Sequence, residues 1–422
     1  MLSTRHRFLS AALYTLCLLY AGPVQAAEPA PPFDVAAESV LLMNERSGRI
    51  ICAKNPDLSI PPASLTKIMT LVVANDAIDN GYASLDDEVV ISEKAWRTGG
   101  SKMFVAVNSR VPLRKLLEGI AIVSGNDACV AVAEHIAGVE DVFVEKMNRK
   151  AAEIGMNNTM FKNSHGLPDE QYTTVRDMAI LADYYISHHP ECLQIHSTKE
   201  LTYNAITQRN RNGLLWLDSG FDGLKTGWFS TAGYHIVATA QQEQDRFIAV
   251  VMGAGTVRQR EAVARQLITY GFRNFTTLEV LSAATPLAQA SVWKGAQDHV
   301  ALGPAAPVIL TVERSSLDSI VVQNDFAESV QAPVAMGQEF GQARILLHDG
   351  LLASVPLVAL HAVDRASLAR CVLHTATLLF IRPPYWGALV LALLLIAACV
   401  ARLASRTGAS SRTRKKHGDN FL

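Results

Sequence analysis

Ser64 and Lys67 stand three residues apart in the stretch Pro61-Pro62-Ala63-Ser64-Leu65-Thr66-Lys67-Ile68-Met69-Thr70. A serine hydroxyl becomes a useful nucleophile only when a neighbouring group takes its proton. A lysine amine can take it only when desolvation or a nearby cation depresses its pKa. The two prolines, followed by the apolar run Leu71, Val72, Val73 and Ala74, predict a helix beginning here. Three residues along a helix bring two side chains to one face, so hydroxyl and amine can meet. The bland alternative is a helix cap beside a solvated lysine. Ser291-Val292-Trp293-Lys294 repeats the spacing elsewhere in the chain.

Two further stretches offer matching chemistry. Ser124-Gly125-Asn126 falls between two apolar helical patterns and presents a hydroxyl and an amide from a turn. Asp222-Gly223-Leu224-Lys225-Thr226-Gly227-Trp228 puts a cation, a hydroxyl and a glycine at a strand edge. There a substrate carboxylate can bind, and a substrate backbone can approach closely and pair like an added strand. Taken singly, these are an ordinary cap and an ordinary turn. His188, Cys192 and His196 have helix-like metal spacing, but Pro190 interrupts them. His165 has no Gly-x-Ser-x-Gly elbow to partner, and it is read as structural or peripheral to a cleft.

The elements that must position these residues follow from the pattern. Ser39–Asn44 and Arg49–Ala53 flank a Glu45-Arg46-Ser47-Gly48 turn and predict a hairpin leading to Ser64. Helical periodicity covers Lys67–Ala77, Arg114–Val123, Asp127–Ala137, Glu140–Ile154 and Thr174–Ile186. Strands are expected at Gly233–Ala240 and Arg246–Met252, and a helix at Arg260–Tyr270. Strands at both ends with helices between them predict one sheet built from both ends of the domain. From Leu278 to Leu360, short Val/Ile/Leu runs punctuated by Gly and Pro predict a small all-β domain.

Ser-x-x-Lys, Ser-Asp-Asn and Lys-Thr-Gly in this order mark penicillin-binding proteins and class A β-lactamases. With Ser-Gly-Asn in the middle, with His165-Gly166-Leu167 and with the residues around each motif, the chain resembles the low-molecular-mass penicillin-binding proteins, the serine D-alanyl-D-alanine carboxypeptidases. The resemblance runs from about Val40 to Phe275 and extends to the β domain and a C-terminal anchor. It implies an α+β fold with an antiparallel sheet and a helical middle. It implies Ser64 as the acylated nucleophile and Lys67 as its base. Ser124 and Asn126 would relay protons and orient the substrate. Lys225, Thr226 and Gly227 would contact it, and the backbone N–H groups of Ser64 and Trp228 would form the oxyanion hole. Arg260, in Val257-Arg258-Gln259-Arg260-Glu261, would bind the terminal carboxylate, with Arg258 the weaker alternative. The implied substrates are peptidoglycan D-Ala-D-Ala stem peptides, with β-lactams as covalent ligands and no metal or cofactor. A β-lactamase is the nearest rival, but no Glu-x-x-Leu-Asn segment lies between the second and third motifs. A muropeptide endopeptidase and a non-catalytic wall-binding scaffold are the others.

The 422 residues allow two domains of ordinary size, and 49% hydrophobic content with a net charge of −1 argues for packed domains and against nucleic acid as partner. Arg5, His6 and Arg7, an apolar run from Phe8 to Tyr20, and Val24-Gln25-Ala26 read as a signal peptide over 1–26, with an uncleaved anchor as alternative. The catalytic domain is expected over 27–277, the β-rich domain over 278–363 and a connector over 364–384. An uncharged apolar run from Tyr385 to Ala401 predicts a transmembrane helix over 385–404, and the tail 405–422 is basic. That orientation puts the tail in the cytoplasm and the domains on the periplasmic side of the inner membrane. The family's usual anchor is an amphipathic helix lying on the membrane, so this run is a departure. The cysteines outside the ends (Cys52, Cys129, Cys192 and Cys371) are widely spaced and read as buried thiols.

Overall fold

The computed structural model describes residues 28–217, 219–372, 375, 387, 390–400 and 402. Two compact units divide the chain. The first holds residues up to Leu278 together with Leu310–Ser315, and the second holds Glu279–Ile309 and Ser316 onward.

The first unit is built on a five-stranded antiparallel sheet. Its order is Ile50–Lys54, Ser39–Asn44, Asp245–Ala254, Gly233–Gln242 and Phe221–Phe229. The N-terminal hairpin is therefore docked on the C-terminal strands, with Ser39 opposite Met252 and Asn44 opposite Phe247. Alternation along a strand sends successive side chains to opposite faces. Leu41 and Met43 face the core beneath the helical middle, whereas Val40 and Leu42 face the helix Val257–Asn274. Both faces are covered, which is why Val40 through Met43 are all apolar instead of every second one.

The helices match the periodicity within a few residues: Thr66–Asp79, Leu113–Ile122, Asn126–Ala137, Glu140–Glu153 and Val175–His188. Thr174 caps the last of these through Asp177 N–H. Two expectations need correction. The helix read as Arg260–Tyr270 begins at Val257, capped by the Thr256 hydroxyl, and runs to Asn274. The Asp222–Trp228 stretch, which passes for a turn by its glycines, is most of the nine-residue strand Phe221–Phe229 at the sheet's edge. Burial of Gly223 through Gly227 within the first unit overrides the turn propensity of those glycines.

The second unit contains a six-stranded sheet ordered Ile320–Phe326, Glu339–Leu347, Gly350–Ala359, His299–Pro304, Ala288–Trp293 and Ser329–Gln331. Its last pair is parallel. Ser291 lies in a strand here and Lys294 just beyond its end, so the second Ser-x-x-Lys lacks the helix that would bring its side chains together. The expected signal peptide, the basic tail and much of the expected spanning helix lie outside the described residues. Residues 390–400 are helical. At about 1.5 Å per residue they extend roughly 16 Å, against a hydrocarbon core of about 30 Å. No helix among the described residues is long and apolar enough to cross a membrane.

Candidate active site

Ser64 lies in a single 3-10 turn, Ala63–Leu65, that leads into the helix Thr66–Asp79. Ala63 holds a φ of +48°, an unusual conformation for alanine, and this turns the chain sharply before the serine. One helical turn on, Lys67 Nζ donates to Ser64 Oγ at 3.0 Å. Lys67 is 0% exposed, and its amine is also fixed by the His165 carbonyl. Burial, reinforced by the Arg211 cation and opposed by Cys129 and Asp127, pushes the Lys67 pKa down to about 8. The pair thus has the geometry and the basicity for proton transfer from serine to amine.

A second serine–lysine pair faces it. Lys225 Nζ donates to Ser124 Oγ at 3.1 Å, across 101 residues of sequence. Burial and then the Lys67 charge hold the Lys225 pKa well below its usual value. Ser124, like Ala63, takes a positive φ, of 64°. Asn126 opens the next helix, donates Nδ2 to the Gly99 carbonyl at 2.7 Å and keeps a buried Oδ1 with no partner among the described residues.

Ser64, Ser124, Asn126, Thr226, Gly227, Trp228 and Arg260 line one cleft of about 740 Å³. Lys67 and Lys225 are its buried floor. The edge strand that carries Thr226 and Gly227 lies directly against the Ser64 turn: a Cβ on Gly227 would sit 3.4 Å from Ser64 N. Arg260 is 4% exposed, bonds to Glu261 Oε1 at 3.1 Å and to the Arg211 carbonyl at 3.3 Å, and has an unpartnered Nε. Arg258 is exposed and does not line the cleft. His188 is exposed and stacks on Tyr184, while His196 is buried with Nδ1 2.8 Å from the Leu224 carbonyl.

Several participants were not singled out by the sequence, and His165, read there as structural or peripheral, lines the cleft. Gly166, at φ +85°, packs so tightly that a Cβ would lie 1.9 Å from the Ala63 carbonyl, and this presses the His165 carbonyl toward Lys67. Burial pushes the His165 ring down to about 4, so it is neutral near pH 7 and its Nδ1 accepts from Leu167 N–H at 3.1 Å. Glu140 braces this turn by accepting from Ser164 N–H at 3.0 Å and Ser164 Oγ at 2.6 Å. Burial disfavours its charge, but Ser164 and Lys94 outweigh that and hold its carboxyl below the usual range. Asp127 accepts from the N–H groups of Met103 and Phe104 at 2.8 and 2.9 Å, anchoring the loop that meets Asn126. Arg211 lines the cleft and donates to Ser101 Oγ at 2.7 Å. Only the Asp next to Asn126 and the His-Gly-Leu run left a trace in the sequence. Arg211 sits in a stretch without a motif.

Comparison with known proteins agrees with this geometry. The family model for D-alanyl-D-alanine carboxypeptidase matches residues 24–256, and that for the penicillin-binding protein 5 C-terminal domain matches residues 275–365. The chain is 39% identical over 344 residues to a D-alanyl-D-alanine carboxypeptidase, DacA, of Haemophilus influenzae, covering 80% of this chain and 88% of that protein. It is 38% identical to Escherichia coli K12 DacA over 82% of this chain and 88% of that one. A crystal structure of penicillin-binding protein 5 from Haemophilus influenzae superposes with a TM-score of 0.75 at 39% identity, over 80% of this chain and 100% of that one. With the Ser-Lys pair, the Ser-x-Asn turn and the Lys-Thr-Gly strand gathered in one cleft, the chain belongs to the peptidase S11 family of D-alanyl-D-alanine carboxypeptidases, with a C-terminal domain of the penicillin-binding protein 5 type.

Proposed function

We infer that this protein is a serine D,D-carboxypeptidase that removes the terminal D-alanine from peptidoglycan stem pentapeptides. The observation that carries the reading is the 3.0 Å contact between Ser64 Oγ and a fully buried Lys67 whose pKa is lowered to about 8. In the proposed mechanism, Ser64 Oγ attacks the carbonyl carbon of the penultimate D-alanine and its proton passes to Lys67 Nζ. The Ser64 and Trp228 N–H groups stabilise the oxyanion, where one such donor contributes about 3–4 kcal/mol. The C–N bond then breaks. The leaving amine takes a proton relayed through Ser124, and D-alanine departs from an acyl-enzyme on Ser64 that water hydrolyses. Asn126 and the edge strand around Lys225, Thr226 and Gly227 hold the peptide in an extended, strand-like pose. β-Lactams acylate Ser64 by presenting their ring amide in the same place. Turnover of an N-acyl-L-Lys-D-Ala-D-Ala peptide by the purified protein tests the reading, and absence of D-alanine release would overturn it.

Arg260 binds the terminal carboxylate in this proposal. It is buried in the cleft wall, close to the N-terminus of its helix, which adds a field favourable to anions. Arg260→Ala is expected to lower catalytic efficiency on the free-acid peptide roughly ten- to a hundredfold relative to the matching ester, as for a charge-assisted bond of about 1.5–3 kcal/mol. Equal slowing of both substrates would assign Arg260 to the fold alone. A muropeptide endopeptidase would use the same Ser64 and Lys67, and cleavage of a purified cross-linked muropeptide against that of the linear D-Ala-D-Ala peptide separates the two activities.

The domains act outside the cytoplasm in this reading. Residues 1–26 serve for export, and 385–404 span the inner membrane with the basic tail inside. A cysteine replacing Ser411 should resist an impermeant thiol reagent in intact spheroplasts and react after lysis. Ready labelling before lysis would instead put the tail outside, with an anchor lying on the outer face.

A further inference from the structure

The helix that contributes Arg260 to the cleft carries four arginines and a single acid, Glu261, which is paired with Arg260. Arg258, Arg265 and Arg273 are exposed and have no hydrogen bond or ion pair among the described residues. The chain as a whole has a net charge of −1, so this stripe is not part of a generally basic surface. Arg258 also stands in the helix's first turn, where the dipole disfavours a cation. Helix stability accounts for Arg273 in the last turn but not for Arg258.

Beside the C-terminal half of this helix lies a second groove, of about 660 Å³, lined by Phe33, Arg265, Gln266, Tyr270, Arg273 and Asn274. Arg265 and Arg273 are eight residues apart, about 12 Å along the helix. Phe33 meets Tyr270 edge to face, with ring centroids 5.7 Å apart. The groove thus presents two guanidinium forks without a protein partner, which match carboxylates, with the exposed Gln266 amide between them. A glycopeptide polymer with free carboxylates complements the two guanidiniums and the amide between them.

We propose that this groove is a second binding site for the wall polymer, in which a neighbouring stem of the strand being trimmed places its carboxylates on Arg265 and Arg273. The proposal rests on the carboxypeptidase reading of the cleft and names the form of substrate the protein prefers. The shared helix links the two sites, with Arg260 in the cleft and Arg265 and Arg273 on the outer face.

The test is cosedimentation of the detergent-solubilised full chain with purified, lipid-free peptidoglycan at low salt. The double variant Arg265→Glu/Arg273→Glu is expected to need about five- to tenfold more polymer for half-saturation, as for two lost exposed charge pairs. Arg265→Lys/Arg273→Lys should retain most of the binding. Amidation of the polymer's carboxylates should abolish the difference between the wild type and the Glu variant, whatever it does to binding in the cleft. Turnover of a small D-Ala-D-Ala peptide should be equal in all three proteins. A dead wild type in that assay would count against the activity, while the binding measurement would still decide the groove. Unchanged sedimentation of the Glu variant overturns the proposal, as does indifference to amidation. So does a loss confined to the preference for anionic over zwitterionic phospholipid vesicles, which would make the stripe a lipid contact.

Discussion

Ser64→Ala is expected to abolish both covalent labelling by penicillin and release of D-alanine. Ser64 is the cleft hydroxyl bonded to an amine of lowered pKa one helical turn away. The competing pair, Ser124 with Lys225, has similar separation but sits on the opposite wall with Ser124 buried at 2% exposure. Removal of a nucleophile that works as a unit with its base costs on the order of a millionfold in turnover. Intact-mass spectrometry after incubation with a penicillin is the measurement. The wild type should gain the mass of one penicillin, Ser64→Ala none, and Ser291→Ala the full label. A label retained on the Ser64→Ala protein would move the nucleophile elsewhere, Ser124 being next in reach.

Lys67→Arg should be nearly as damaging while conserving charge. Arginine stays protonated throughout the accessible pH range and cannot accept the serine proton. Loss of a general base typically costs about 10²–10⁴ in rate. The sign of the pH dependence follows from the lowered value. Lys67 acts as a base only when neutral, so acylation by the wild type should rise with pH through about 8 and level off above it. Arginine is bulkier in a site with no exposure, so the fold is checked by thermal unfolding and by Lys67→Met, which also lacks a base. Acylation of the Lys67→Arg protein at the wild-type rate near pH 7 would transfer the proton to another group. The Lys225–Ser124 pair would then be the candidate, since its lysine is also held well below the ordinary value.

Much of the site was legible because its chemistry is local. Ser64 and Lys67 need only one turn of helix, and the apolar run that forms that turn is written beside them. Ser124 and Asn126 likewise need only the break between two periodic segments. The helices Glu140–Glu153 and Val175–His188 followed from period because each buries one face, whereas Thr66–Asp79 and the first hairpin strand are buried on all sides and showed as unbroken apolar runs. The spanning helix expected over 385–404 also came from local pattern; of that run the structure describes residues 387, 390–400 and 402, and no helix among the described residues is long and apolar enough to cross a membrane.

Pattern failed where long-range burial set the outcome. The glycines at 223 and 227 signalled a turn, but Phe221–Phe229 became an edge strand because it pairs with Gly233–Gln242 from Phe221 to Phe229. The participants left unread reach the site through contacts that no window of sequence contains. The His165 carbonyl meets Lys67 across 98 residues, Arg211 meets Ser101 across 110, and Glu140 braces Ser164 across 24. Residue types and short spacings determined which chemistry this protein can perform and which serine stands one helical turn from a lysine. The tertiary structure decided what suits that lysine to act as a base: Lys67 is fully buried, and a desolvated amine cannot hold its proton as a solvated one does.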